Sequence, residues 1–96
     1  VKVIEAMNPT AAAKAVKNPV EQENMRRVHV QDGLVLTRFL RWMKEHAGEK
    51  GLDEWTAGEY LDKLRLEQKN CLDMSFTTIS AWGPNAAMCH YTASET

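Results

Sequence analysis

The strongest constraint on how this chain folds is the run that opens at Asn18-Pro19-Val20-Glu21 and closes near Gly48. Asn18 has the short acceptor side chain of an N-cap. Pro19 suits the first helical position, where its missing N–H would be unpaired anyway, and Glu21 stands where a carboxylate reaches back to the cap. Downstream, Met25, Val28, Val35, Phe39, Trp42 and Met43 recur at helical spacing, and Gly48 is a stop signal. The pattern predicts one helix running to about Ala47. Gly33 is the place where it would kink or split, because an interior glycine costs about 1 kcal/mol against alanine. If continuous, the helix is a rod of over roughly 40 Å at about 1.5 Å per residue, whereas a compact domain of this size has a radius of gyration of about 12 to 13 Å. Part of its apolar face is therefore expected to need a sheet that these 96 residues do not supply.

The rest of the helical part is shorter. Val1-Lys2-Val3-Ile4 alternates weakly and reads as a short strand or a linker, broken by Asn8-Pro9-Thr10; the alanine-rich residues 10–17 favour one or two helical turns. After the polar loop Gly48-Glu49-Lys50-Gly51, Asp53 caps a second helix carrying Trp55, Ala57, Tyr60, Leu61 and Leu64 on one side and fading after Gln68. Residues 1–17 form a lead-in, 18–69 a helical part and 70–96 the first strands of one small domain. A chain this short buries little more than about 60% of its unfolded surface, so its core is expected to be marginal. Net charge is -1, which gives no electrostatic reason to expect nucleic acid, and no apolar run approaches the length of a membrane span. Cys71 and Cys89 are 18 apart without CxxC spacing and read as reduced, buried small hydrophobes, which points to the cytoplasm. The start at Val1 without Met suggests a piece of something larger.

The stretch Leu72–Tyr91 predicts short extended segments. Phe76, Thr77, Thr78, Ile79 and Trp82 are β-branched or aromatic, Gly83-Pro84-Asn85 is a turn signal, and Ala86–Tyr91 would return beside the first strand as a hairpin. The order Asp73-x-Ser75-Phe76-x-Thr78-Ile79-Ser80, Gly83-Pro84-Asn85, His90-Tyr91 resembles the aminopeptidase P family of Xaa-Pro aminopeptidases. Lys14–Asn18, Glu21, Met25-Arg26-Arg27 and Asp32 are similar to the opening helix of the same domain in the larger, cytosolic-type members. Thr77, Ala86 and Cys89 depart from the family's usual Pro, Gly and aliphatic residue.

That resemblance implies an α+β fold, an incomplete pita-bread (creatinase/aminopeptidase) arrangement of long helices packed on short antiparallel strands. It implies a metallopeptidase that releases the N-terminal residue from peptides with proline in second position, with the remainder of the same polypeptide as its structural partner; a homodimer is left open. It also implies two divalent metal ions, manganese by expectation, held by two Asp, one His and two Glu that in the family follow the His-Tyr motif. No DxxH, HExxH or spaced Asp/Glu/His cluster occurs in this chain, so no metal ligand is assigned here and the chain alone is expected to be inactive.

His90 is the one residue to which a catalytic and substrate-binding role is given. A lone histidine in an apolar strand is more often structural; the resemblance is what raises it, because the matching family histidine lines the active site and helps stabilise the transition state. An imidazole N–H suits the oxygen that becomes negative as a peptide carbonyl is attacked. Asp73 reads as a turn cap more readily than as a metal ligand or base. His29 and His46 read as surface or boundary residues of the long helix, and Trp82 as a pocket-lining candidate. Ser75, Thr78 and Ser80 lack a neighbouring base. Alternatives are a prolidase or creatinase-like enzyme, a metal-free relative with the same fold, or a helical protein-interaction module.

Overall fold

The computed structural model describes residues 2–95. Its elements in chain order are α1 (Pro9–Ala15), α2 (Pro19–His46), α3 (Glu54–Leu66) and a 3-10 helix at Gly83–Ala87. The chain divides at Val30 and Gln31 into two units. In the first, α1 starts where Asn8 caps it, the Asn8 side chain accepting from the Thr10 amide at 2.9 Å. Asn8-Pro9-Thr10 is thus a helix start as well as a break. Lys2-Val3-Ile4 forms no strand, and Val1 lies outside the described residues. At the head of α2 the Asn18 and Glu21 side chains each accept the other's backbone N–H at 2.9 Å, the reciprocal box that the sequence announces. Every described residue of this unit is exposed.

The second unit is built on the C-terminal half of α2 and on α3. The helix passes Gly33 without a break, and the Thr37 hydroxyl bonds back to the Gly33 carbonyl at 2.8 Å. It ends at His46, followed by Gly48 at φ 95, the left-handed conformation that a Cβ penalises. A second positive φ at Gly51 completes the turn into α3, where the Asp53 carboxylate accepts from the Thr56 amide and the Thr56 hydroxyl accepts from the Asp53 amide.

The two helices run antiparallel. Near one end Arg65 donates to the Asp32 carboxylate at 2.8 Å; towards the other, Trp42 and Tyr60 have ring centroids 4.1 Å apart, with Phe39 at 6.1 Å from Trp42. Only Val35, Ala57 and Leu61 are buried among the described residues, so half-buried aromatic rings carry much of the packing.

No strand occurs among the described residues, and this overturns the expected α+β, pita-bread arrangement with short antiparallel strands. Trp82 (φ -128, ψ 146), as its aromatic side chain predicts, and Met88 (φ -89, ψ 124) do have extended backbone. A hairpin, however, needs a ladder of backbone bonds, and here Gly83-Pro84-Asn85-Ala86-Ala87 coils into the 3-10 helix instead of turning the chain back. Proline at the second position has the fixed φ of a helical turn and no N–H to give a ladder. Residues 78–82 lie along α3, with Thr78 and Trp82 bonding to its side chains. Thr78 donates to Asp62, Ser80 and Thr78 stand against Gly58, and the Trp82 amide reaches Glu54. Four extended residues span about 13 Å, and the eight helical residues from Asp62 back to Glu54 span about 12 Å. The segment is in register with the helix, and α3 takes the place of the expected partner strand.

Candidate functional site

The densest polar cluster of the second unit gathers on Glu54, in the first turn of α3. Its Oε1 accepts from the Trp82 backbone N–H and from Asn85 Nδ2 at 3.1 Å. Its Oε2 accepts from Asn85 Nδ2 at 2.9 Å and from the Tyr91 hydroxyl. Asn85 also donates to the Tyr91 oxygen at 3.2 Å, which closes a triangle of side chains. The Asp53 cap fixes the start of α3 and hence the place of Glu54; the 3-10 turn brings Asn85 over it, and Tyr91 follows after Met88, Cys89 and His90.

The electrostatics follow from that arrangement. The Tyr91 hydroxyl, then the Trp82 N–H, hold the Glu54 carboxyl below its ordinary value, against a smaller opposing effect of burial and of neighbouring Asp53. The same contact raises the Tyr91 phenol, since losing its proton would set two negative oxygens against each other. Asp53 is lowered chiefly by the Thr56 backbone N–H. A carboxylate is also favoured in the first turn of a helix, where unpaired backbone N–H groups point toward it.

His90 lies in the turn immediately before Tyr91, exposed to solvent, with φ 55. It is the non-glycine residue with positive φ among the described residues, a conformation that histidine tolerates better than most side chains. Cys89 shares this turn and is exposed, and Cys71 is half-buried; both are unpaired, so the expectation of buried cysteines is corrected. The opposite-face argument that separates Cys89 from His90 in a strand does not apply in a turn.

Trp82 is 84% exposed, and its contribution here is its backbone N–H. The Asp73 carboxylate accepts from the Met74 amide at 2.7 Å, a local turn contact. His29 and His46 each bond through Nδ1 to the carbonyl four residues earlier on α2, and the His46 ring stacks on Trp42 at 5.0 Å. Glu54 is the residue that sequence reasoning missed, because a glutamate in a first helical turn is common and its partners lie 28 to 37 residues further on.

Among the described residues no three His, Cys, Asp or Glu side chains converge as a metal site requires. No helix among them is long and apolar enough to cross a membrane. An open groove of about 530 Å³, lined by Glu59, Asp62, Lys63, Leu66, Glu67 and Met74, lies toward the other end of α3 and shares no residue with the Glu54 cluster.

Residues 23–96 match the profile of metallopeptidase family M24. The chain is 44% identical over 94 residues to a protein of Paracoccidioides brasiliensis (strain Pb03) named "Probable Xaa-Pro aminopeptidase P", covering 96% of this chain and 15% of that protein. Proteins of the same name from Botryotinia fuckeliana (45% over 92 residues, 94% of this chain and 14% of the relative) and Neurospora crassa (42% over 91, 93% and 13%) agree. The chain thus spans about one-seventh of the length of these curated relatives. No solved structure gives a significant match. The aminopeptidase P resemblance read from about Lys14 to Tyr91 holds over nearly the whole chain, and the chain belongs to metallopeptidase family M24.

Proposed function

We propose that this chain contributes to a Xaa-Pro aminopeptidase, a metal-dependent hydrolase that releases the N-terminal residue of peptides whose second residue is proline, and that His90 is its contribution to the active site. The observation that carries the reading is the identity of 44% across 96% of the chain to a protein with that name. In this reading the His90 imidazole donates a hydrogen bond to the scissile carbonyl oxygen as that oxygen gains negative charge. Its exposure and its turn position suit a group that must meet a substrate rather than pack inside a core.

The metal ions, two and of manganese in this proposal, are held by ligands other than the residues described here. The 96-residue chain alone is accordingly expected to release no N-terminal residue from an Xaa-Pro peptide with manganese added; release would refute this part. The unpaired cysteines, one of them exposed, fit a reducing compartment such as the cytosol.

The test is steady-state kinetics of the purified active protein carrying this sequence, with Xaa-Pro-Xaa peptides as substrate. His90→Ala is expected to lower kcat/KM by about 10² to 10³, the usual cost of one transition-state donor, with most of the loss in kcat. An unchanged kcat/KM would remove His90 from the site. Cleavage confined to dipeptides would indicate a prolidase instead.

A further inference from the structure

A single carboxylate ties down both ends of the turn that carries His90. Glu54 accepts from Trp82 at its start, from Asn85 in its middle and from Tyr91 at its end. His90 sits between the 3-10 helix and the tethered Tyr91, in a left-handed backbone conformation that an unrestrained histidine would leave. We propose that Glu54 is the positioning residue for His90: by holding Trp82, Asn85 and Tyr91 at once it fixes the turn, and so sets where the imidazole stands relative to α3. The proposal rests on the reading that His90 contacts substrate, but its structural half can be measured without it.

The chemistry of the cluster dictates a carboxylate. Donors approach both oxygens, so both must accept, and only an ionised carboxyl has two acceptors and no proton. An amide of the same size cannot accept from all the donors present: with its NH2 toward Trp82 and Asn85 it faces two N–H groups, and turned the other way it still faces the Asn85 NH2 and takes Tyr91 only as an acceptor. Aspartate is one methylene too short to reach all three from the same backbone position. Glu54→Gln therefore keeps the volume and removes the function, which separates this role from simple packing. Asp53 and Tyr91 are the titratable groups that face Glu54, and neither can replace it: Asp53 is occupied with the Thr56 cap and Tyr91 is one of the donors.

The structural half is tested on the 96-residue chain by NMR. Glu54→Gln should shift the Trp82 amide proton upfield as its charged acceptor is lost, broaden or split the His90 ring lines as the turn samples several conformations, and leave the Trp42 and Tyr60 resonances in place. Unaltered Trp82 and His90 lines would overturn the proposal. Tyr91→Phe, which removes only the hydroxyl, serves if the glutamine variant does not fold; it should perturb His90 in the same direction.

The functional half is tested in the active protein by a double-mutant cycle. If Glu54 acts through His90, Glu54→Gln lowers kcat/KM in the wild type but has little further effect in a His90→Ala background. A full additional loss in that background would mean that Glu54 supports the fold and does not position His90. Should His90→Ala itself change nothing, the functional reading of His90 fails while the NMR result stands on its own. The two failures are thus distinguishable.

Discussion

At φ 55, His90 holds a backbone conformation that costs a non-glycine residue about 1 to 2 kcal/mol. A residue kept there against that cost is a candidate for chemistry. His90→Gly is expected to raise stability by up to about 1 kcal/mol in urea unfolding, even as it removes the imidazole. A glycine variant less stable than wild type would show that the ring is held for packing. The Glu54 cluster gives the residue scale its pH dependence. The Glu54 carboxyl is lowered below its ordinary value of 4.5, so its stabilising contribution is fully present above that value and is lost as pH falls through the lowered one. The Tyr91 phenol is raised above its ordinary value of 10.0, so its contribution is present below that value and is lost as pH rises through the raised one. The turn should thus be most firmly held between these limits. The Trp82 amide, followed by NMR across the acid range, should lose its downfield position together with Glu54 protonation, and a Trp82 shift flat through that range would contradict the assignment.

The helices differ in what each sequence signal controls. Asn18→Ala removes one half of a reciprocal cap and should cost about 1 kcal/mol of α2 helicity by far-UV circular dichroism and melting. Gly33→Ala should stabilise by about 1 kcal/mol, since a Cβ there meets nothing within 4 Å. Gly58 is different: an added Cβ would lie 3.7 Å from Ser80 Cβ and 3.8 Å from Thr78 Cγ2, ordinary contact distances. Alanine fits at 58, but Gly58→Leu should push the 78–80 segment off α3 and weaken the bond from the Thr78 hydroxyl to Asp62, which a shift of the Thr78 side-chain methyl and Asp62 carboxyl resonances would report. These local signals are why the helical part was legible. Asn18, Glu21, Gly48 and Asp53 each act within four residues of where they stand. The segment 72–91 was not, because β-branched and aromatic residues specify extended backbone without saying what lies beside it. Trp82 is extended as read, yet the neighbour of Thr78 and Trp82 is a helix some 16 to 28 residues earlier, and nothing local in Phe76 or Ile79 distinguishes that from a strand. His90 is singled out only by the aminopeptidase P resemblance, and Gly83-Pro84-Asn85 reads as a hairpin turn where the chain instead forms a 3-10 helix.

For the whole molecule, the notable quantity is how little is buried. Val35, Ala57 and Leu61 are the buried apolar residues described, while Phe76, Ile79, Trp82 and Leu72 stand 50 to 97% exposed. Leu61→Ala should cost about 2 to 5 kcal/mol, enough to unfold a chain with so small a core at 25 °C; a cooperative melt retained in that variant would show that the aromatic rings of Phe39, Trp42 and Tyr60 suffice. The described residues of the first unit are all exposed, and their amides should exchange with solvent well before those of the Trp42 and Tyr60 region. The Glu54 tether also has a consequence for the order of events in folding. The helix pair is joined by a short turn, whereas Glu54 must find donors 28, 31 and 37 residues away, contacts that close late because long loops cost entropy before they gain anything. A bond absent from the transition state changes only how fast the native state is lost. Glu54→Gln should therefore speed unfolding and leave the folding limb of the chevron where it is, so that the turn bearing His90 is the last part of the chain to arrive and the first to leave.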